Sequence, residues 1–161
     1  MITKIFITKE MLQKSENKAK EMGSLNNSIL QGNGNLTGFL GEVIALQVLG
    51  GTEINTYDYD LVTTNGIKID VKSKKTTVEP KEHYDCSVAA FNVKQKCDVY
   101  CFVRIKDDYT CGWYLGIYPK EDYFKDATFL KKGDIDPSNN YIVKADCYNL
   151  TISKLRACYN N

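Results

Sequence analysis

The stretch Tyr57–Lys75, YDYDLVTTNGIKIDVKSKK, decides how the chain is read. Asn65-Gly66 lies between two short runs of alternating polar and apolar residues, the local signature of a β-hairpin. Loop length then determines which side chains face each other. With a two-residue loop, Thr64 pairs with Ile67 and Leu61 lies opposite Asp70. With a three-residue loop, Thr64-Asn65-Gly66, Thr63 pairs with Ile67, Asp60 lies opposite Asp70, and Asp58 opposite Lys72. The second register is expected, because Gly66 then takes the left-handed position that a type I turn followed by a bulge requires. Strand alternation would place Asp60, Asp70 and Lys72 on one face and Ile69 and Val71 on the other. Charges alternating along a strand are usually a solvated face. Two carboxylates directly opposite one another repel, however, and a divalent cation between them reverses that repulsion.

A second anomaly lies upstream, in Thr37–Gly51, TGFLGEVIALQVLGG, the most strongly helical apolar stretch of the chain. Thr37 is the expected cap and Gly50-Gly51 the expected end. Phe39, Leu40, Val43, Ile44, Leu46, Val48 and Leu49 surround the helix with apolar groups, so it should pack on more than one side. Glu42 sits among them. At about 100° per residue its nearest neighbours on the helix are Phe39, Ala45, Leu46 and Leu49. A carboxylate there is costly unless a cation or donors compensate it. The structural alternative is a first-turn glutamate that reaches water and favours the positive helix end.

Around these two stretches the chain reads as follows. ITKEMLQKSENKAKEMGSL is a first helix, capped by Thr8 and ended by Gly23. NNSILQGNGNL is an irregular loop. DCSVAA is a strand, FNVKQK a helical turn, and CDVYCFVRI a buried strand. DDYT is a turn leading into the partner strand CGWYLGIY, and PKEDYF opens a helix. YIVKADCYNL is a late strand and TISKLRACY a short C-terminal helix. The expectation is an α/β (α+β) fold, a central mixed sheet flanked by helices, in one domain spanning 1–161. Within it, 1–36 would be an N-terminal helix and loop, 37–118 the core, and 119–161 a C-terminal extension.

With 161 residues, 25% of them charged and 43% apolar, the chain has the composition of an ordinary globular protein. No apolar run approaches the ~20 residues that span a bilayer. The N-terminus resembles neither a secretory signal nor a transit peptide, so a cytoplasmic location, in a bacterium or a phage-infected host, and no membrane partner are expected. A net charge of +1 does not announce a nucleic-acid ligand, but a local basic patch is what counts. Six cysteines form no C-x-x-C pair, and the single histidine is His83, which speaks for reduced thiols over zinc. Cys97 and Cys101, four apart in a strand-like run, would share a face. There is no pattern for a hydrolytic triad, and GNGN lacks the lysine and spacing of a phosphate loop.

Glu42 in an apolar helix, then Asp60, then Asp70-Val71-Lys72, resembles the PD-(D/E)XK nuclease superfamily, which has the restriction-endonuclease-like fold. The match runs from about Thr37 to Lys75. The resemblance implies a metal-dependent hydrolase of DNA phosphodiester bonds, with Mg²⁺ (or Mn²⁺) as cofactor. It implies Glu42, Asp60 and Asp70 as metal ligands, joined by the carbonyl of Val71. Lys72 would position or activate the attacking water. Tyr59 stands where the family's motif has proline. Asp58 rivals Asp60, which is preferred because it leads directly into the apolar strand. Gln95 lies where some members place a glutamine after the core hairpin. The compact length also resembles small phage or archaeal members, Holliday-junction resolvases among them. Lys68, Lys74, Lys75 and Lys81 cluster in sequence around this motif and would neutralise phosphates of duplex or branched DNA. A homodimer is a further expectation. The alternative is a catalytically inactive nucleic-acid-binding or assembly domain of the same fold, which would be expected to have lost part of the Glu42, Asp60, Asp70, Lys72 set.

Overall fold

The computed structural model describes residues 1–26 and 33–159, and its elements run as follows. Strand β1 (Thr3–Phe6) leads into helices α1 (Lys9–Asn26) and α2 (Asn33–Leu49). Then come β2 (Thr52–Glu53), β3 (Leu61–Val62), β4 (Lys68–Thr76) and β5 (Asp85–Ala89). A 3-10 turn at Ala90–Lys94 precedes β6 (Val99–Lys106), β7 (Cys111–Pro119) and helix α3 (Lys120–Asp126). β8 (Thr128–Leu130), β9 (Cys147–Thr151) and a 3-10 turn at Ile152–Lys154 follow.

Six strands form one mixed sheet in the order β1-β7-β6-β4-β3-β2, and β5-β9-β8 form a second. β4 and β6 are parallel; the other neighbours in the first sheet are antiparallel. A parallel pair needs a crossover, and here it passes through β5, in the other sheet, before returning at Gln95.

Each face of the first sheet covers its own core. On one, Leu40, Ile44 and Ala45 of α2 pack on Ile69, Val99, Cys101, Val103 and Ile105. On the other, Tyr100, Phe102, Trp113 and Leu115 meet Tyr123 of α3 and Cys86, Val88 and Leu150 of the second sheet. Each of the larger aliphatic and phenylalanine side chains stabilises the fold by roughly 1.5–3 kcal/mol when fully removed from water. The alternation of β4 therefore sends Ile69, Val71 and Ser73 toward α2, and Asp70, Lys72 and Lys74 toward the second sheet. Helix α2 comes close because residue 41 is glycine: a β-carbon there would collide with the Ser73 side chain.

The hairpin has the three-residue-loop register, with Leu61 opposite Ile69 and Val62 opposite Lys68. Gly66 holds φ +81° and the Thr63 amide donates to the Ile67 carbonyl at 3.0 Å. Thr8 caps α1, its hydroxyl accepting the Met11 amide at 3.2 Å.

Other expectations are corrected. α1 passes Gly23 and ends at Asn26. α2 begins at Asn33, so Thr37 is a buried interior residue and no cap. The expected NNSILQGNGNL loop lies partly in 27–32, outside the described residues, and its remainder is helical at both ends. The first element is a strand, β1, paired along β7, and no turn signal or long apolar run marks it in the sequence. The late strand shrinks to Cys147–Thr151, and the C-terminal helix is only the turn Ile152–Lys154, followed by a bridge from Arg156 to Ile117. Cys97 precedes β6 and joins the second-sheet core, while Cys101 joins the α2 core, so the two do not share a face. Among the described residues, none of the cysteines is joined in a disulfide. No helix among the described residues is long and apolar enough to cross a membrane.

Candidate active site

The site forms where a strand stops. The β3–β4 ladder ends at Leu61, so the expected pairing of Asp60 opposite Asp70 does not form: Asp60 leaves the ladder while remaining pinned on both sides. Its amide donates to the Ile69 carbonyl at 2.9 Å, and its carbonyl accepts the amides of Ile54 and Asn55 at 2.8 and 3.1 Å. Its carboxylate Oδ2 accepts the Val71 amide at 2.7 Å, taking the place of the next backbone acceptor. Strand amides point in the sheet plane, so the Asp60 carboxylate lies close to that plane, beside β4. The Val71 carbonyl points to the same side of β4 as its amide.

From the second-sheet face come Asp70 and Lys72. Asp70 is 5% exposed. Its Oδ1 accepts Gln95 Nε2 at 2.9 Å. Its Oδ2 lies 2.7 Å from Lys72 Nζ, but the angles are not those of a hydrogen bond, and this buried oxygen has no hydrogen-bond donor. Lys72 Nζ donates to Gln95 Oε1 at 3.1 Å and stands 5.5 Å from the centre of the Tyr100 ring. Gln95, itself 5% exposed, also donates to the Tyr57 carbonyl at 3.0 Å. One amide at the end of the β4–β6 crossover thus ties together the carboxylate, the lysine and the loop before Asp60.

From the α2 face comes Glu42. Its Oε2 is 3.2 Å from Lys18 Nζ of α1, which also contacts Glu53 Oε1 on β2. Lys18 lies 4.6 Å from the Phe39 ring centre. The cation that Glu42 needs therefore comes from a different helix.

Asp60 feels the charges of the other two carboxylates. Burial pushes Asp60 up to about 7; the charges of Glu42 and Asp70 add to this, against the Val71 amide and Lys72. Burial also raises Glu42; Lys18 opposes this, while Glu53 and Asp70 reinforce it. For Glu53, burial acts upward, but hydrogen bonds from Lys18 and Asn55 and the lysine charges hold it below the usual range.

Carboxylates with a strand carbonyl are the hard oxygen donors that Mg²⁺ and Mn²⁺ select. Asp70 Oδ2 is buried, and its near partner is the Lys72 ammonium at 2.7 Å. Among the described residues, however, no three His, Cys, Asp or Glu side chains are grouped to hold an ion as they stand. Glu42 is turned to Lys18 and Asp70 to Lys72. The donor chemistry fits a hard divalent cation, while the present partners of the carboxylates are ammonium groups.

The remaining sequence candidates are dispersed. Asp58 is drawn away, its Oδ1 accepting the Lys96 amide at 2.9 Å. Lys68 stands 5.4 Å from the Tyr59 ring centre, on the Asp70 face of β4. Lys74 lies on that face beside Arg104. Lys75 is on the other face, 5.0 Å from the Tyr109 ring centre, so it does not join them. Lys81 is exposed in the turn before Tyr84. Lys18, Glu53 and Arg104 lie outside the hairpin motif. Arg104 carries a visible signal, a lone charge inside VYCFVRI, of the same kind that marks Glu42. Lys18 carries only its place beside Ser15 and Ala19, the buried stripe of α1. No protein-family model matches the chain, and no curated protein matches it significantly.

Proposed function

We propose that the protein is a metal-dependent nuclease of the PD-(D/E)XK type with a restriction-endonuclease-like core, hydrolysing DNA phosphodiester bonds. The observation that carries this reading is the charge coupling of Asp60, at a strand end, to Glu42 of a helix and Asp70 of a strand centre that also carries Lys72. Asp60 is destabilised by burial and by the charges of Glu42 and Asp70, which is the electrostatic condition that a cation relieves. Glu42, Asp60, Asp70 and the Val71 carbonyl would hold the ion. Bound Mg²⁺ or Mn²⁺ would supply charge neutralisation at the phosphoryl oxygens and a more acidic water. Lys72, held by Gln95, orients the attacking water and balances charge at the phosphorus. Gln95 keeps that ammonium within reach of Asp70. The Lys18–Glu42 pairing favours a second reading, a nucleic-acid-binding domain of the same fold that does not cut.

A cleavage assay separates them. Plasmid and single-stranded, duplex and branched oligonucleotides are incubated with Mg²⁺ or Mn²⁺, using wild type, Asp70→Ala and Lys72→Ala. Wild type is expected to cut and the variants to lose at least about 100-fold in rate. No cutting of any substrate by the wild type favours the binding domain; equal cutting by the variants places the chemistry elsewhere.

A further inference from the structure

Four residues beyond Asp70, β4 faces a different environment. Lys74 stands directly beside Arg104 of β6 in the parallel register, on the second-sheet face. Like charges at paired positions destabilise a sheet, so this pairing calls for a compensating group. Among the described residues neither forms a salt bridge. Arg104 Nη2 donates to the backbone carbonyl of Asp85 at 2.6 Å, a neutral acceptor. Lys74, exposed at its end, has its pKa lowered by the partial burial of its stem and then by the Arg104 charge.

Both cations border a cavity of about 740 Å³ between the sheets. Lys144 adds a third, on the segment before β9. Lys75 borders the cavity too, but its ammonium lies over Tyr109 on the opposite face. Two carboxylates are present, each hydrogen-bonded to neutral donors, and the Asp85 charge also acts on Arg104. Asp85 accepts the Ser138 and Thr151 hydroxyls at 3.1 and 3.4 Å. Asp136, 5% exposed, accepts the Ser138 amide and hydroxyl and Asn149 Nδ2. The walls also present the rings of Tyr84 and Tyr141 and the polar groups of Ser87 and Asn149. A smaller cleft of about 180 Å³ is bordered by Lys72, Lys74 and Arg104 and shares the last two with this cavity.

We infer that the Lys74–Arg104 pair is a phosphate-binding site and that the cavity takes a nucleotide. A phosphate ester accepts from the guanidinium and the ammonium together, as paired cations in a confined site favour. The tyrosine rings offer a stacking surface for a base. Lys74 is about 7 Å along the strand from Lys72, so a nucleic-acid strand with one phosphate at Lys72 places a neighbouring phosphate here. That continuity rests on the nuclease reading; the phosphate site does not.

The test is binding without metal. Wild type in EDTA is titrated calorimetrically with inorganic phosphate, a nucleoside, the nucleoside monophosphate and a short single-stranded oligonucleotide. The monophosphate is expected to bind at least tenfold more tightly than the nucleoside, with affinity falling as salt rises. Lys74→Gln should weaken it about tenfold without lowering the unfolding temperature, since that change removes a like-charge contact. Arg104→Lys, which keeps the charge and loses the fork, should also weaken it. Competition of the oligonucleotide with the monophosphate identifies a strand as the source of the phosphate; binding of the monophosphate alone identifies a free nucleotide, and both sustain the site. Equal or absent binding of nucleoside and monophosphate, or undiminished binding by Lys74→Gln, overturns it. A protein that binds the monophosphate but cuts no DNA keeps this site and loses the nuclease. One that cuts but does not bind does the reverse.

Discussion

At one end β4 sets Asp70 near Asp60 and Glu42; four residues on, it sets Lys74 beside Arg104. Both ends bring like charges from other elements beside one strand, but they relieve them differently. The acidic end draws ammonium groups from elsewhere, Lys18 from α1 and Lys72 from β4 itself. It has a second outlet, because Asp60 takes up a proton near neutrality. The basic end has a backbone carbonyl and an open cavity, and a guanidinium does not give up its proton in the physiological range. Cation binding at the acidic end should therefore compete with protons, whereas the protein's part in anion binding at the basic end should not.

The largest expected effect tests the acidic end through stability. Asp60 titrates near 7 in the folded protein, against an ordinary value of 3.8. Below pH 4 both folded and unfolded forms are protonated. Between 4 and 7 the folded form holds a proton that the unfolded form has released, so stability falls as pH rises, by a few kcal/mol in all. Above 7 the full cost is present and constant. Glu42, also raised, acts in the same direction, and Glu53, held low, in the opposite one. Urea unfolding of wild type and Asp60→Asn in EDTA isolates the effect. The variant should be the more stable at pH 8 and lose that advantage by pH 4. Mg²⁺ should raise the wild-type midpoint at pH 8 and barely move the variant's. Equal midpoints at pH 8 would remove the electrostatic basis of the site.

Next in size is Gly41→Ala. The added methyl meets Ser73 midway along β4 and must displace α2, an overpacking cost of about 1–3 kcal/mol. The comparison sharpens if denaturation shows this loss and Mg²⁺ stabilisation declines with it, while monophosphate binding at Lys74 is unchanged. A loss of both ligands would mean that the two ends are not separable.

The smallest effect expected is from Gln95→Leu, which releases Lys72 and Asp70 from their shared amide. Groups that orient a site from outside typically change its function by about 10- to 100-fold, and the lower value is expected because Lys72 keeps its contact with Asp70. Single-turnover cleavage should slow while DNA affinity holds. Weaker affinity at an unchanged rate would reassign Gln95 to binding.

Much of the acidic end could be read from residue order alone. Asn65-Gly66 determines its own turn, since few residues accept a positive φ there, and the turn sets the register as far as Leu61 opposite Ile69, beyond which Asp60 has left the ladder. Glu42 stands out because burial among apolar neighbours is costly wherever the helix packs. The same reasoning applies to Arg104 in VYCFVRI, but one charge in a strand does not disclose its neighbour. That neighbour, Lys74, follows from a parallel pairing across a crossover of more than twenty residues. Thr37 shows the opposite limit: a good capping residue became interior because packing of α2 extended the helix past it, and local propensity is the weaker force.

The sequence by itself therefore determined the hairpin, its register, the apolar helix and the mixed α/β character, all of which depend on short-range sterics and hydrophobic period. Tertiary structure alone decided that β3 stops at Leu61, that Lys18 reaches Glu42, that Gln95 returns over Asp70, and that Lys74 meets Arg104. These contacts join residues far apart in the chain, and they arise only when burial of the two cores on either side of the sheet brings charge to places that local sequence does not specify.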